Sequence, residues 1–411
     1  MKKEKSRGTR LGYMRAGYVY PCTETTIRVD QAYQSLSLPV HSPNSTMADR
    51  EINVLIFGGC GFVGRNLVQY IVENDLAAHV RVVDKVPPQV AWLNKSHQKV
   101  FNDYRVEFKS ANLINPASCK NAFSDMQFHY VFNCASETKL GQTDPVYEEG
   151  VYQVGKNCMT AAASCNAWRY IELSTGQMYS SEKTCHKEDD KVEPWTIIDK
   201  YKHKVEEELS EIDLSYNILR PGIIYGIGDK SGLGARIIIA GLYKYLGEKM
   251  TLFWSKDLFM NTVHVRDVCR ALWHLATIEK DGGIYNLVDE GKTTQGILTE
   301  ALSEVFSINH DYWGNVASSL CKVDMNTVVD EINDKHLAPW AKLCNQNGVV
   351  NTPLSPYIHK EQLHNKHLYL STDKIKLTGF EVSVPEITAD YIKEIVKDYI
   401  DMNMFPKSLL S

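Results

Sequence analysis

From Asn53 onward the chain alternates short apolar runs with helix-length segments. Val54-Leu55-Ile56-Phe57 is followed by an amphipathic stretch from about Gly61 to Asn74. Further apolar runs follow at Val80 to Asp84, Val106 to Asn112, Tyr130 to Ser136, Tyr170 to Thr175 and Asn217 to Gly222. Brief apolar strands alternating with helices predict an α/β fold, a doubly wound parallel sheet covered by helices on both faces. After Gly226 the pattern loosens. A segment Thr262 to Leu275 returns with helical spacing, Tyr285 to Val288 reads as a strand, and a last helix is expected from about Glu386 to Met402. This divides the chain into a tail over 1–50, a nucleotide-binding domain over 51–226 and a smaller, mixed α/β C-terminal substrate lobe over 227–411, some segments of which rejoin the first domain.

The tail carries Lys2, Lys3, Lys5, Arg7, Arg10 and Arg15 among Ser, Thr, Pro and Tyr with no sustained apolar period, which predicts disorder. It lacks the apolar core of a secretory signal and shows no clear amphipathic arginine helix, and Met47 offers an alternative start just before the first strand.

Composition narrows the classes. The 411 residues are 44% hydrophobic and 23% charged, with a net charge of −5, which supplies no basic field for nucleic acid. No run reaches the ~18 apolar residues of a membrane span. Ten cysteines are scattered without metal-ligand spacing. They read as reduced thiols, which suits a soluble cytoplasmic protein.

Between the first strand and the first helix lies Gly58-Gly59-Cys60-Gly61-Phe62-Val63-Gly64. Glycine at 58, 61 and 64 suits three tasks: a tight turn, backbone approach to a pyrophosphate, and close packing of helix on strand, with the helix N-terminus facing the negative charge. Cys60 is read as a small filler of that loop. Asp84 ends the second strand, where a carboxylate accepts from the adenosine ribose hydroxyls and repels a 2′-phosphate, favouring NAD over NADP. Lys85 partly offsets that repulsion.

Together with Leu219-Arg220-Pro221-Gly222-Ile223-Ile224-Tyr225-Gly226, Val263-His264-Val265-Arg266-Asp267-Val268, Tyr285-Asn286-Leu287, Ser371-Thr372-Asp373-Lys374 and Leu377-Thr378-Gly379-Phe380, the glycine loop resembles the extended short-chain dehydrogenases/reductases, the family of nucleotide-sugar epimerases, dehydratases and 3β-hydroxysteroid dehydrogenases. The match spans about 53 to 400. It implies a Rossmann-like fold that binds NAD at Gly58, Gly61, Phe62, Val63, Gly64 and Asp84. Asn112 and Leu113 fall near the adenine, Cys134, Ala135 and Ser136 along the pyrophosphate and ribose, with Pro221 completing the set. Asn112 stands where relatives have Asp, yet keeps a carbonyl acceptor for the adenine amine. Tyr152 stands where relatives often carry Asn. The implied ligand is a small molecule, and a homodimer is the implied assembly.

The same resemblance implies a catalytic Ser/Thr, Tyr and Lys, the lysine lowering the tyrosine pKa and holding the ribose. Thr175 matches the hydroxyl position. Aligning Lys204 and Glu208 with the family's Lys and Glu puts Lys200 where Tyr belongs, with Tyr201 one residue late. At ~3.6 residues per turn, a spacing of four overshoots a turn by roughly 40° and a spacing of three falls short by roughly 60°, so Tyr201 would point off the active face. Three readings stay open: a Tyr201 restored by an altered helix start, a base at Lys200, or lost hydride-transfer chemistry. Dehydration is disfavoured, because Gly176 and Gln177 stand where the 4,6-dehydratases carry an acid pair. For the substrate, Arg236, Lys244, Lys249 and Arg266 offer charge for a sugar-nucleotide, and Phe253, Trp254, Leu258 and Phe259 offer walls for a steroid. The leading expectation is an NAD(H)-binding oxidoreductase or epimerase acting on a hydroxyl, the alternative a non-catalytic NAD-binding sensor or scaffold.

Overall fold

Seven parallel strands form the main sheet of the computed structural model, which describes residues 51–320 and 324–410. The expectations for residues 1–50 lie outside the described residues. The strands in chain order are β1 (Asn53–Phe57), β2 (His79–Asp84), β3 (Val106–Ser110), β4 (Tyr130–Asn133), β5 (Arg169–Leu173) and β6 (Tyr216–Pro221). Three short strands outside the main sheet come next: β7 (Ile223–Tyr225), β8 (Met250–Leu252) and β9 (Thr262–His264). Then β10 (Gly283–Leu287) returns to the sheet, and β11 (His310–Tyr312) pairs with β8. The order across the sheet is β10-β6-β5-β4-β1-β2-β3. The reversal of direction at β1 puts a crevice above the carboxyl ends of β1 and β4, the place where open parallel sheets take ligands.

The helices are α1 (Phe62–Glu73), α2 (Lys95–Phe101), α3 (Pro116–Asn121), α4 (Asp144–Tyr147), α5 (Val154–Ser164), α6 (Ile197–Glu211), α7 (Gly234–Leu246), α8 (Val265–Thr277), α9 (Gln295–Phe306), α10 (Gly314–Leu320), α11 (Met325–Gln346), α12 (Asp373–Lys376) and α13 (Ala389–Asp401). Strand side chains alternate between faces. Val54 and Ile56 therefore pack with Leu67 of α1 and Leu272 of α8, and Leu55 and Phe57 with Cys158 of α5 and Val205 of α6. The central strands are buried on both faces, which is why they read as continuous apolar runs. The returning segment 262–275 splits into β9 and α8, and α8 lies under the sheet. A separate core in the C-terminal half joins Ile237 and Ile238 of α7, Leu298 of α9, Trp340 of α11 and Tyr399 of α13.

Candidate functional site

The glycine loop connects β1 to α1 with Gly58 at φ 72°, in the left-handed region that favours glycine. A Cβ on Gly58 would lie 2.7 Å from Ala135 of the neighbouring loop, and one on Gly64 would lie 2.3 Å from the carbonyl oxygen of Gly58. Gly61 is exposed and forms the N-cap of α1 with no capping side chain, so the helix start is left to an anion from outside. Phe62 and Val63 follow it along the wall of a cavity of about 820 Å³. Asp84 reaches across the loop, Oδ2 accepting from the Cys60 amide at 3.1 Å and Oδ1 from the Val86 amide at 3.0 Å. Burial, then the charge of Asp84, pushes the Cys60 thiol up to about 12, so this cysteine is an inert filler.

Beyond the loop, Cys134 and Ser136 line the same cavity, and Ala135 donates its amide to Asn133 Oδ1 at 3.1 Å. Asn112 is exposed, its Oδ1 accepting from the Ile114 amide at 3.2 Å, while the carbonyl of buried Leu113 accepts from Asn157 Nδ2 at 3.0 Å. The Pro221 carbonyl accepts from the Gly176 amide at 2.8 Å, which ties the end of β6 to the turn after β5. These residues fit a dinucleotide: uncapped helix amides for the pyrophosphate, a carboxylate for the ribose, and a side-chain carbonyl near the adenine end.

The α6 helix departs from the expected register. It starts at Ile197, with Thr196 and Asp199 forming a capping box, and its buried stripe is Asp199, Lys202, Val205, Glu206 and Leu209. The lysine turned toward the sheet is therefore Lys202. Its Nζ donates to the Leu173 carbonyl at 2.6 Å and lies 3.4 Å from Glu172 Oε1, and it lines the cavity. The expected register on Lys204 and Glu208 would instead put an exposed lysine at the site. Lys204 is exposed, its Nζ 3.9 Å from the centroid of the Tyr152 ring, and Glu208 accepts from the Tyr152 hydroxyl at 2.6 Å. Glu206, one turn on, is buried on the same face as Lys202. Sequence reasoning missed both, although the apolar spacing of Val205 and Leu209 marks that face as the inner one.

With Lys202 as the reference, the position one turn earlier is Ile198. Tyr201 is not brought to Thr175. Its hydroxyl donates to Asp144 Oδ2 at 3.1 Å, and partial burial with the charges of Asp144 and Glu148 holds its phenol above the usual range. A tyrosine base needs the opposite shift. Lys200 is exposed at the cavity rim. Thr175 accepts from the Gln177 amide at 3.2 Å and stands near Asp199, which accepts from the Thr196 hydroxyl at 2.7 Å and whose carboxyl burial pushes up to about 6.

Beneath these side chains runs a buried polar chain. Glu172 accepts from Asn133 at 2.8 Å and from Tyr170 at 2.9 Å. Glu206 accepts from Ser174 and from Arg220, Nε to Oε1 at 3.0 Å, and Arg220 donates to the Tyr179 hydroxyl at 2.8 Å. Tyr179 in turn donates to Asn286 of β10 at 2.8 Å. The chain fixes α6 against β5, β6 and β10, so its lysine-bearing face is held at the carboxyl ends of the strands.

The family model described as the NAD dependent epimerase/dehydratase family matches residues 54–287, from the first strand through β10. The chain belongs to this family. Among solved structures, UDP-glucose 4-epimerase of Thermus thermophilus, in complex with NAD, superposes at a TM-score of 0.61 with 20% identity, covering 85% of this chain and 99% of that one. The dTDP-glucose 4,6-dehydratase of Bacillus anthracis, also with NAD, gives 0.63 with 16% identity, covering 87% and 99%. At these identities the likeness is one of fold. By sequence, the decarboxylating sterol-4-alpha-carboxylate 3-dehydrogenase of Saccharomyces cerevisiae is 24% identical over 192 residues, 43% of this chain. The match spans about half, 52%, of the yeast protein's length. The glycine loop and Asp84 stand at the crevice where β1 meets α1. Among the described residues no helix is long and apolar enough to cross a membrane, and no group of His, Cys, Asp or Glu is placed to hold a metal.

Proposed function

We propose that this family member binds NAD(H) in the glycine-loop crevice and an apolar, hydroxyl-bearing small molecule in the adjoining cavity, without a tyrosine base for hydride transfer. The observation that carries this reading is the α6 register: Lys202 lines the cavity, Ile198 stands one turn before it, and Tyr201 is bonded to Asp144. Gly58, Gly61 and Gly64 would hold the pyrophosphate, Asp84 the ribose hydroxyls, Asn112 and Leu113 the adenine, and Lys202 the second ribose. When bound, the nicotinamide supplies a hydride donor or acceptor. The apolar walls Phe253, Leu258, Phe259 and Met260 favour an apolar body over a sugar, in keeping with the sterol substrate in the yeast relative's name. The eight described cysteines are all unpaired, which supports a reducing compartment such as the cytoplasm.

A second reading rests on Asp199, a buried carboxyl near Thr175. A carboxyl poised near 6 can take a proton passed through the threonine from a ligand hydroxyl, and the chain would then be an oxidoreductase or epimerase with a relocated base. Titration calorimetry with NAD and NADP, NADH formation with a 3β-hydroxysteroid, and appearance of an epimerised product from UDP-glucose, which regenerates NAD and leaves no net NADH, separate the two. The expected result is tight NAD and weak NADP binding with no wild-type turnover, and a measurable rate on installing the tyrosine by Ile198→Tyr. Wild-type turnover abolished by Asp199→Asn would establish the second reading, and absence of NAD binding would overturn both.

A further inference from the structure

Glu172 interrupts an apolar strand. Side chains alternate along a strand, so Glu172 shares the face of β5 with Tyr170, which lies in the apolar core against α5 and α6. Glu172 is 1% exposed, and burial pushes its carboxyl above the usual range, against the charge of Lys202 and the hydrogen bonds of Asn133 and Tyr170. A carboxylate in such a place is costly unless it is both paired and hydrogen-bonded. Its two oxygens divide these tasks. Oε2 accepts from Asn133 Nδ2 at 2.8 Å and from the Tyr170 hydroxyl at 2.9 Å, which ties the group to the sheet. Oε1 is left to Lys202, 3.4 Å from Nζ.

Among the described residues the other groups around Lys202 supply no second counter-charge. From β4 and α5 the thiols of Cys134 and Cys158 lie in its field, and burial pushes the first up to about 12 and the second well above the usual range, so both are neutral. Burial raises the Tyr170 phenol as well. On α6 itself Asp199 accepts from Thr196 at 2.7 Å and Glu206 from Arg220 at 3.0 Å, while Lys200 stays at the exposed rim. An ammonium has three N–H bonds. One goes to the Leu173 carbonyl at 2.6 Å and one to Glu172, which leaves the third for the cavity that Lys202 lines. Ile198, one turn earlier, has no polar side-chain atom to hold the amine, so its aim is set from the strand below.

We propose that Glu172 is a positioning residue of the cofactor site, holding the Lys202 ammonium from beneath so that its third N–H is free for the second ribose of the cofactor. This deepens the reading given under Proposed function and rests on its placing Lys202 at that ribose. Without the carboxylate the ammonium stands in a largely buried site with no counter-charge, and it is lost more readily as pH rises.

The test is NADH titration by fluorescence on the full chain between about pH 7 and about pH 9.5, the range in which an unsupported buried ammonium sheds its proton. Wild-type affinity should stay level across that range. Glu172→Gln, which keeps the shape and removes the charge, should weaken NADH about tenfold at the lower pH and further as the pH rises. Glu172→Asp should restore part of the affinity and the level profile. In a Lys202→Met background the Glu172→Gln change should add nothing, because its effect runs through the amine. That double variant holds no orphan charge, so it reads the coupling even if Glu172→Gln alone folds poorly. A merely structural role would lower the Tm and the affinity in both backgrounds and leave the pH profile level. A wild-type profile in Glu172→Gln, or an equal further loss on adding it to Lys202→Met, would overturn the proposal. Wild-type NADH affinity in Lys202→Met would instead sink the reading on which it rests.

Discussion

Gly64→Ala is expected to lower the NAD affinity of this chain about 100-fold, which corresponds to roughly 2.7 kcal/mol of binding free energy. The added Cβ would sit 2.3 Å from the Gly58 carbonyl oxygen and 2.6 Å from the Gly59 Cα. Both are backbone atoms, so relief requires the loop to lift from the start of α1. Lifting it separates the turn from the helix amides that it presents to the pyrophosphate. Titration calorimetry with NAD reads this directly, and near-wild-type affinity in the variant would mean that the phosphates are bound elsewhere.

The second large effect concerns the buried pair under α6. Arg220 and Glu206 have side chains 2% and 4% exposed, and Arg220 is held between Glu206 and Tyr179. Removing one charge of a buried pair leaves the other desolvated and uncompensated, typically at a cost of roughly 3–5 kcal/mol. Glu206→Leu and Arg220→Met should each destabilise the chain by about that amount in urea unfolding. The double variant should lose far less than the sum, because no orphan charge remains. Additive losses would show that the two side chains act through separate partners.

Much of this architecture is legible in the amino-acid order. Strands buried on both faces must be apolar throughout, so β1, β2 and β4 announce themselves. The glycine loop is legible because steric demands at Gly58 and Gly64 leave no other residue, and Asp84 because a charged group at the end of an apolar strand has few reasons to be there. The face of α6 was harder. Lys202 with Glu206 and Lys204 with Glu208 have the same spacing, and nothing local to either pair chooses between them. The choice is made by Val205 and Leu209, which pull Lys202 and Glu206 inward with them, and by Arg220, which stands on another element and neutralises the buried glutamate. The cavity along α7 was less legible still. Arg236 could be noted as a spare charge, but its place in the cavity wall opposite Ile332 and Leu368 comes about only in the folded chain. His336 of the same wall carried no signal, since a histidine in a helix with polar neighbours reads as surface.

The central claim is that α6 offers Lys202, with Ile198 in the tyrosine's place, to the bound cofactor. NAD titrations of Lys202→Met and Lys204→Met, each checked for folding by circular dichroism, test it most directly. The account predicts that Lys202→Met weakens NAD binding at least tenfold while Lys204→Met leaves it unchanged. The reverse pattern would contradict it and return the helix to the register with Tyr201 and Lys204 at the site.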